Sequence, residues 1–139
     1  MDPRVCALSI PCDLTVLSQA RAFLEGLCQV HKLDRAMTHA VVLATAEALT
    51  NIVRHGRPGD SNSQIRIQFH LMDNAVEIHV QDDCPPFDPS TVPDLDPREI
   101  RVGGRGIYLM RALMDEITCE HHGPNGNTLR MVKRLRPSA

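Results

Sequence analysis

The sequence predicts an α+β fold: a two-layer α/β sandwich in which three main helices cover one face of a mostly antiparallel sheet. Three features carry that expectation. Helix-period segments run from about residue 13 to residue 56, the period drops to two between residues 65 and 80, and a third helical segment precedes two more strand-like runs. Strands joined by turns too short for a crossover pair antiparallel, and helices grouped outside them bury their apolar stripes on one sheet face. The order in which the strands pair is not readable at this level.

The chain has 139 residues, 42% of them hydrophobic, which suits one compact unit, taken here as 1–139. Three Phe, one Tyr and no Trp leave Leu, Val, Ile, Ala and Met to build the core. A formal charge of -2, with no aromatics interleaved among Lys or Arg, argues against nucleic acid as a direct partner. No apolar run approaches the ~20 residues of a membrane span, and "MDPRVCALSIPCD" lacks a signal-peptide layout, so the expected location is cytoplasmic. The five cysteines (Cys6, Cys12, Cys28, Cys84, Cys119) are odd in number and none stands at CxxC spacing, which favours neither a disulfide framework nor a zinc knuckle. Cys119, His121 and His122 in "CEHHG" read as polar residues at a strand end before a turn, since a metal site lacks a fourth ligand at familiar spacing.

Element by element, the opening "VCALSI" reads as a short strand. "DLTVLSQARAFLEGLCQVHKL" carries Leu17, Ala20, Leu24, Leu27 and Val30 at three- and four-residue steps, an amphipathic helix with Asp13 as its cap. In "DRAMTHAVVLATAEALTNIVRHG", Asp34 is the N-cap and Gly56 the stop. This second helix is apolar on two flanks, Met37, Val41, Ala48 and Ile52 on one and Val42, Ala46, Leu49 and Val53 on the other, so neighbours should cover both. After a polar loop, Ile65, Ile67, Phe69 and Leu71 alternate with Arg66, Gln68 and His70. Val76, Ile78 and Val80 then alternate with Glu77, His79 and Gln81, and "MDNA" between the two runs is a tight hairpin connection. The Pro- and Asp-rich "CPPFDPSTVPDLDPREIRV" is a loop that includes a short lid over 88–103. "GIYLMRALMDE" is the third helix, and "ITCEHH" and "NTLRMVKRL" form a second hairpin around "GPNG".

Three places break these patterns. On the second helix, Glu47, Asn51 and His55 stand four apart. At roughly 100° per residue each step drifts only about 40°, so the three share a face. Ala40, Leu43 and Ala44 lie upstream on it, so a stripe that begins buried turns polar toward the C-terminal half. A carboxylate in such a place needs a partner or a task; an ordinary exposed polar face is the alternative. At the end of the next hairpin, parity with Val76, Ile78 and Val80 sends Asp82 toward the core, where an acid needs a donor from the protein or from a ligand such as an exocyclic amine. A strand ending one residue early would instead turn Asp82 away. In "VGGRGIYLM", Gly103, Gly104 and Gly106 open a helix whose N-terminal amides favour an anion, although a flexible connection has the same composition. The run matches neither the Walker loop nor GxGxxG.

In order, the chain therefore has Glu-x3-Asn-x3-His on a helix, a strand ending in Asp82 before "PPFDP", "GGRG" at a helix start, and "GNT" leading into the final strand. This set resembles the GHKL (Bergerat-fold) ATPases and, within them, looks most like the small anti-sigma-factor serine/threonine kinases of bacterial partner-switching systems. The resemblance covers about Asp13 to Leu135 and implies ATP and Mg²⁺ as cofactors. It implies Glu47 as general base, Asn51 as the Mg²⁺ ligand, His55 in a supporting role at the nucleotide, and Asp82 as acceptor for the adenine amino group. It also implies that Phe87 contacts the nucleotide, that Gly104 and Gly106 lie against the phosphates with Arg105 as a charge partner, and that Thr128 completes the adenine end through its hydroxyl. Where the family usually has glycine two residues after the adenine-binding Asp, this chain has Cys84. The implied activity is transfer of the γ-phosphate of ATP to a Ser or Thr of an anti-anti-sigma (STAS-type) protein, with sequestration of a sigma factor or similar regulator. The alternative is a non-catalytic, ATP-binding or nucleotide-free module that grips partners. Relatives of this type are often homodimers, and the hydrophobic N-terminal segment is the candidate interface.

Overall fold

The fold was obtained as a computed structural model that describes residues 4–55, 63–83, 104–122 and 126–135. Its elements run β1 (Val5–Pro11), α1 (Leu17–Val30), α2 (Arg35–His55), β2 (Gln64–Leu71), β3 (Ala75–Asp82), α3 (Gly104–Leu113), β4 (Glu116–His121) and β5 (Asn127–Arg134). The strands form one sheet in the order β1-β2-β3-β5-β4, every neighbouring pair antiparallel. The expected two-layer sandwich is the observed architecture.

Alternation explains the sheet. Ile65, Ile67, Phe69, Val76, Ile78 and Val80 are fully buried, and burying each such side chain is worth roughly 1.5–3 kcal/mol. In the "MDNA" turn the Met72 N–H donates to the Ala75 carbonyl at 2.8 Å, and the register sets Phe69 opposite Ile78 and Ile67 opposite Val80. β5, the last strand in sequence, inserts between β3 and β4. The other sheet face is polar: Glu77 Oε1 accepts from Arg130 Nε at 2.8 Å and lies 3.1 Å from His79 Nε2, and the His79 ring stacks on His70 at 4.4 Å. The Arg130 hydrogen bond holds the Glu77 carboxyl below its ordinary value. Burial, and then the neighbouring His79, holds His70 below its own.

The helices close on the inner face. Asp13 does cap, but its Oδ1 accepts the Thr15 N–H at 3.0 Å at the start of a 3-10 turn (Leu14–Val16), and α1 begins only at Leu17. The buried stripe of α1 is Ala20, Leu24 and Cys28. Val30, expected on it, is 70% exposed, because the row in contact with the core advances by four from Leu24 to Cys28 and the helix ends before it returns. That end is a Schellman closure: Leu33 N–H donates to the Cys28 carbonyl at 2.9 Å and Lys32 N–H to that of Gln29 at 3.1 Å, with Lys32 at φ 56°. Asp34 then caps α2 as expected, accepting the Met37 N–H at 2.8 Å, a contact worth about 1 kcal/mol. Gly56, the expected stop, lies outside the described residues.

α1 and α3 cover the two flanks of α2, and Val41, Ala44, Ala48 and Leu49 are fully buried. Arg35–Arg54 is long and apolar enough to cross a bilayer, with mean hydropathy 1.3, yet 56% of that window is buried inside the fold, which marks it as the central core helix. α3 starts at Gly104 and ends at Leu113, and its Met110 seals the core beside α2. The lid expected over 88–103 lies outside the described residues.

Candidate functional site at the open end of the helix–sheet layer

The direction of α2 brings the separated polar residues to one end. His31, in the turn before α2, stacks on Phe69 with ring centroids 5.8 Å apart, next to the β2–β3 hairpin. α2 therefore starts at the hairpin end of the sheet and runs toward the opposite end, where β3 finishes and β5 begins.

Along the α2 stripe, Ala40 and Ala44 are in the core, Glu47 is half-buried and Asn51 is only 2% exposed. Asn51 is thus far deeper than an exposed polar face allows. Nearby polar residues satisfy themselves locally: the Thr45 and Thr50 hydroxyls donate to the Val41 and Ala46 carbonyls at 2.7 and 2.9 Å. Asn51 does not, since its Nδ2 is buried and has no acceptor among the described residues. An unmet donor of that kind costs about 1–3 kcal/mol. The backbone of His55 closes α2; its side chain lies outside the described set.

β3 runs through Asp82 instead of stopping one residue early, and the carboxylate is half-buried. It sits opposite Asn127, whose Nδ2 donates to Asp82 Oδ1 at 3.0 Å. Asn127 Oδ1 is in turn 2.7 Å from His121 Nδ1. Gly126, at φ 92°, presses against the end of β3 so closely that a Cβ there would overlap the Asp82 carbonyl oxygen.

Thr128 is a correction. The register sets Ile78, Val80 and Asp82 opposite Met131, Leu129 and Asn127, so Asn127 shares the inner face and Thr128, opposite Gln81, belongs to the outer one. Its Oγ1 lies 3.0 Å from His122 Nε2. The member of "GNT" that reaches Asp82 is Asn127. A signal was present: Leu129 and Met131 alternate as inner residues, and stepping back two positions lands on Asn127.

Gly104 and Gly106 form the first turn of α3, beside α2, where helix N–H groups have no intrahelical partner. The Arg105 side chain, Phe87 and Cys84 lie outside the described residues. At the start of β2, Ser63 is 1% exposed and its Oγ is the other buried polar atom with no partner among the described residues. A cleft of about 430 Å³ at this end opens on the outer face of the sheet, lined by Gln64, Arg66, Gln81, His122 and Thr128 and also touched by Asp82 and Asn127, and none of the described α2 or α3 residues lines it. The arrangement offers an acceptor at the strand end, an α2 amide nitrogen with no partner among the described residues, and helix-start N–H groups that have no intrahelical partner. Those are the complementary groups for an amine, a hydrated cation and an anion.

Known proteins share this arrangement of elements. The family described as the histidine kinase-like ATPase domain matches residues 10–133. The chain is 35% identical over 105 residues to the serine-protein kinase RsbW of Bacillus subtilis, across 67% of this chain and 62% of that protein. It is 27% identical over 118 residues to the serine-protein kinase RsbW of Listeria innocua, across 79% of this chain and 75% of that one. The crystal structure of the RsbU and RsbW domains of Rv1364c from Mycobacterium tuberculosis is similar at a TM-score of 0.68 and 22% identity, over 96% of this chain and 34% of that chain. The catalytic domain of histidine kinase ThkA is similar at 0.51 and 15%, over 96% and 99%. At these identities the two structures speak for the fold alone.

Proposed function

The chain belongs to the histidine kinase-like ATPase (GHKL) family, and from that premise we propose that it is an ATP-dependent serine/threonine protein kinase and anti-sigma factor. Its substrate would be an anti-anti-sigma (STAS-type) protein, and its other client a sigma factor or similar regulator. The relatives named serine-protein kinase support the Ser/Thr choice.

The observation that carries the reading is the buried amide of Asn51, whose Nδ2 has no partner among the described residues, at the same end of the layer as the Asp82 carboxylate. An amide whose nitrogen has no acceptor among the described residues fits a polyphosphate with its cation: Asn51 would hold Mg²⁺ through its oxygen and would donate to the bound phosphate or water through its nitrogen. Magnesium accepts one side-chain oxygen because waters and phosphates fill its other positions. Asp82 accepts the adenine amino group, and the backbone amides of Gly104 and Gly106 at the α3 N-terminus receive anionic phosphate. Glu47, one turn before Asn51 and half-buried, remains reachable by an incoming hydroxyl. Bound Mg²⁺ supplies neutralisation of the charge spread over the phosphates. As the partner's seryl or threonyl oxygen bonds to the γ-phosphorus and the bond to the ADP oxygen breaks, Glu47 takes the hydroxyl proton. His55, Phe87 and Arg105 are assigned supporting contacts to the nucleotide, under a short lid over 88–103 within a single unit of 1–139.

The test is transfer of label from γ-labelled ATP to a STAS-type protein. Glu47→Ala should bind Mg-ATP as the wild type does while transferring at least about a hundredfold more slowly. Undiminished transfer would remove Glu47 as the base. Nucleotide binding by the wild type without transfer would favour the non-catalytic module.

A further inference from the structure

We propose that Asn127 and His121 are positioning residues that set the base selectivity of the nucleotide site by holding Asp82; this rests on the nucleotide reading of that site. The polarity of the chain of contacts is dictated by chemistry. An ionised carboxylate only accepts, so the amide of Asn127 presents its NH₂ group to Asp82 Oδ1 at 3.0 Å. The amide oxygen then faces His121 Nδ1 at 2.7 Å, and that nitrogen must carry the hydrogen. Each link has one workable direction: His121 to Asn127 to Asp82.

The consequence is a carboxylate with a set orientation. Asn127 is 6% exposed and backed by the close approach of Gly126 to the Asp82 backbone, so it has little room to turn. A carboxylate held in one pose accepts from a 6-amino purine and opposes the 6-oxo group of guanine, acceptor against acceptor. Released, it can rotate to the N1–H and 2-amino donors of guanine. The relay therefore discriminates between bases without touching either one. His121 is exposed at the end of β4, so the chain of contacts joins the outer β4–β5 hairpin to the interior.

The experiment is isothermal titration of the full chain with Mg-ATP and Mg-GTP. Asn127→Ala should weaken ATP binding about tenfold and narrow the ATP:GTP ratio by a similar factor, the size expected for a hydrogen bond to a charged group. Asn127→Ser, whose hydroxyl can still donate to Asp82, should recover most of the ratio. His121→Ala should narrow it about two- to threefold, since water replaces an exposed donor in part. Arg130→Ala, which breaks an ion pair on the outer face of the same strand, should lower the melting temperature and leave the ratio unchanged. A wild type that prefers ATP while Asn127→Ala prefers it equally overturns the relay alone, as does an equal narrowing in Arg130→Ala. An unchanged ratio in His121→Ala overturns the outer link. A wild type that binds neither nucleotide overturns both the site and the relay.

Discussion

Gly126 lies against the carbonyl of Asp82, at φ 92°, with no room for a side chain between them. The contact pins the entry of β5 to the end of β3 at the residue that carries the proposed base-reading carboxylate. Gly126→Ala combines a strained dihedral, about 1–3 kcal/mol, with a direct overlap. A drop in melting temperature of about 5 °C or more is expected, together with weaker Mg-ATP binding. Thermal denaturation with and without nucleotide measures both, and an unchanged melting temperature would mean that the close approach is not maintained.

Asn51 lets stability be measured apart from its proposed role at the cation. Because its Nδ2 has no acceptor among the described residues, truncation removes an unmet donor along with some packing. Asn51→Ala should therefore melt within a few degrees of the wild type without ligand. The stabilisation that Mg-ATP gives the wild type, about 2.7 kcal/mol at a hundred times Kd, should vanish. An Asn51→Ala protein that keeps the full Mg-dependent shift would remove Asn51 from the cation site.

Acid sensitivity should arrive in two stages. His70 is held below its ordinary value of 6.5 by burial and then by His79. The unfolded imidazole takes its proton first, so stability begins to fall as pH drops below 6.5. Glu77 is held below its ordinary value of 4.5, chiefly by the Arg130 hydrogen bond. Its contribution is complete above 4.5 and is lost as pH falls through the lower folded value. Melting temperature should thus be level above pH 7, decline below 6.5 and decline again below 4.5. Glu77→Gln should remove the second decline, and His70→Gln the first. A level curve from pH 7 down to 5 would contradict the downward shift of His70.

The residues legible in the sequence were those whose surroundings are local. Alternation from Ile65 to Val80 announced the central hairpin, Asp34 announced the start of α2, and four-residue spacing put Glu47 and Asn51 on one face. Val30 failed because the margin of a helical stripe depends on where the sheet lies beneath it. Thr128 came from the resemblance alone, although alternation with Leu129 and Met131 points to Asn127; that Asn127 meets Asp82 depends on the register of β5 against β3, a strand more than forty positions away.

By itself the sequence determined the periods, the caps and the chemical types placed at the ends of elements, because these follow from backbone geometry and from neighbours within a few residues. Only the tertiary structure decided that β5 enters between β3 and β4, that the buried Asn51 Nδ2 has no partner among the described residues, and that Asp82 accepts from Asn127. The physical reason is that burial and cross-strand pairing are properties of surfaces brought together by long-range packing, and one hydrogen bond at 3.0 Å across forty-five positions has no local trace.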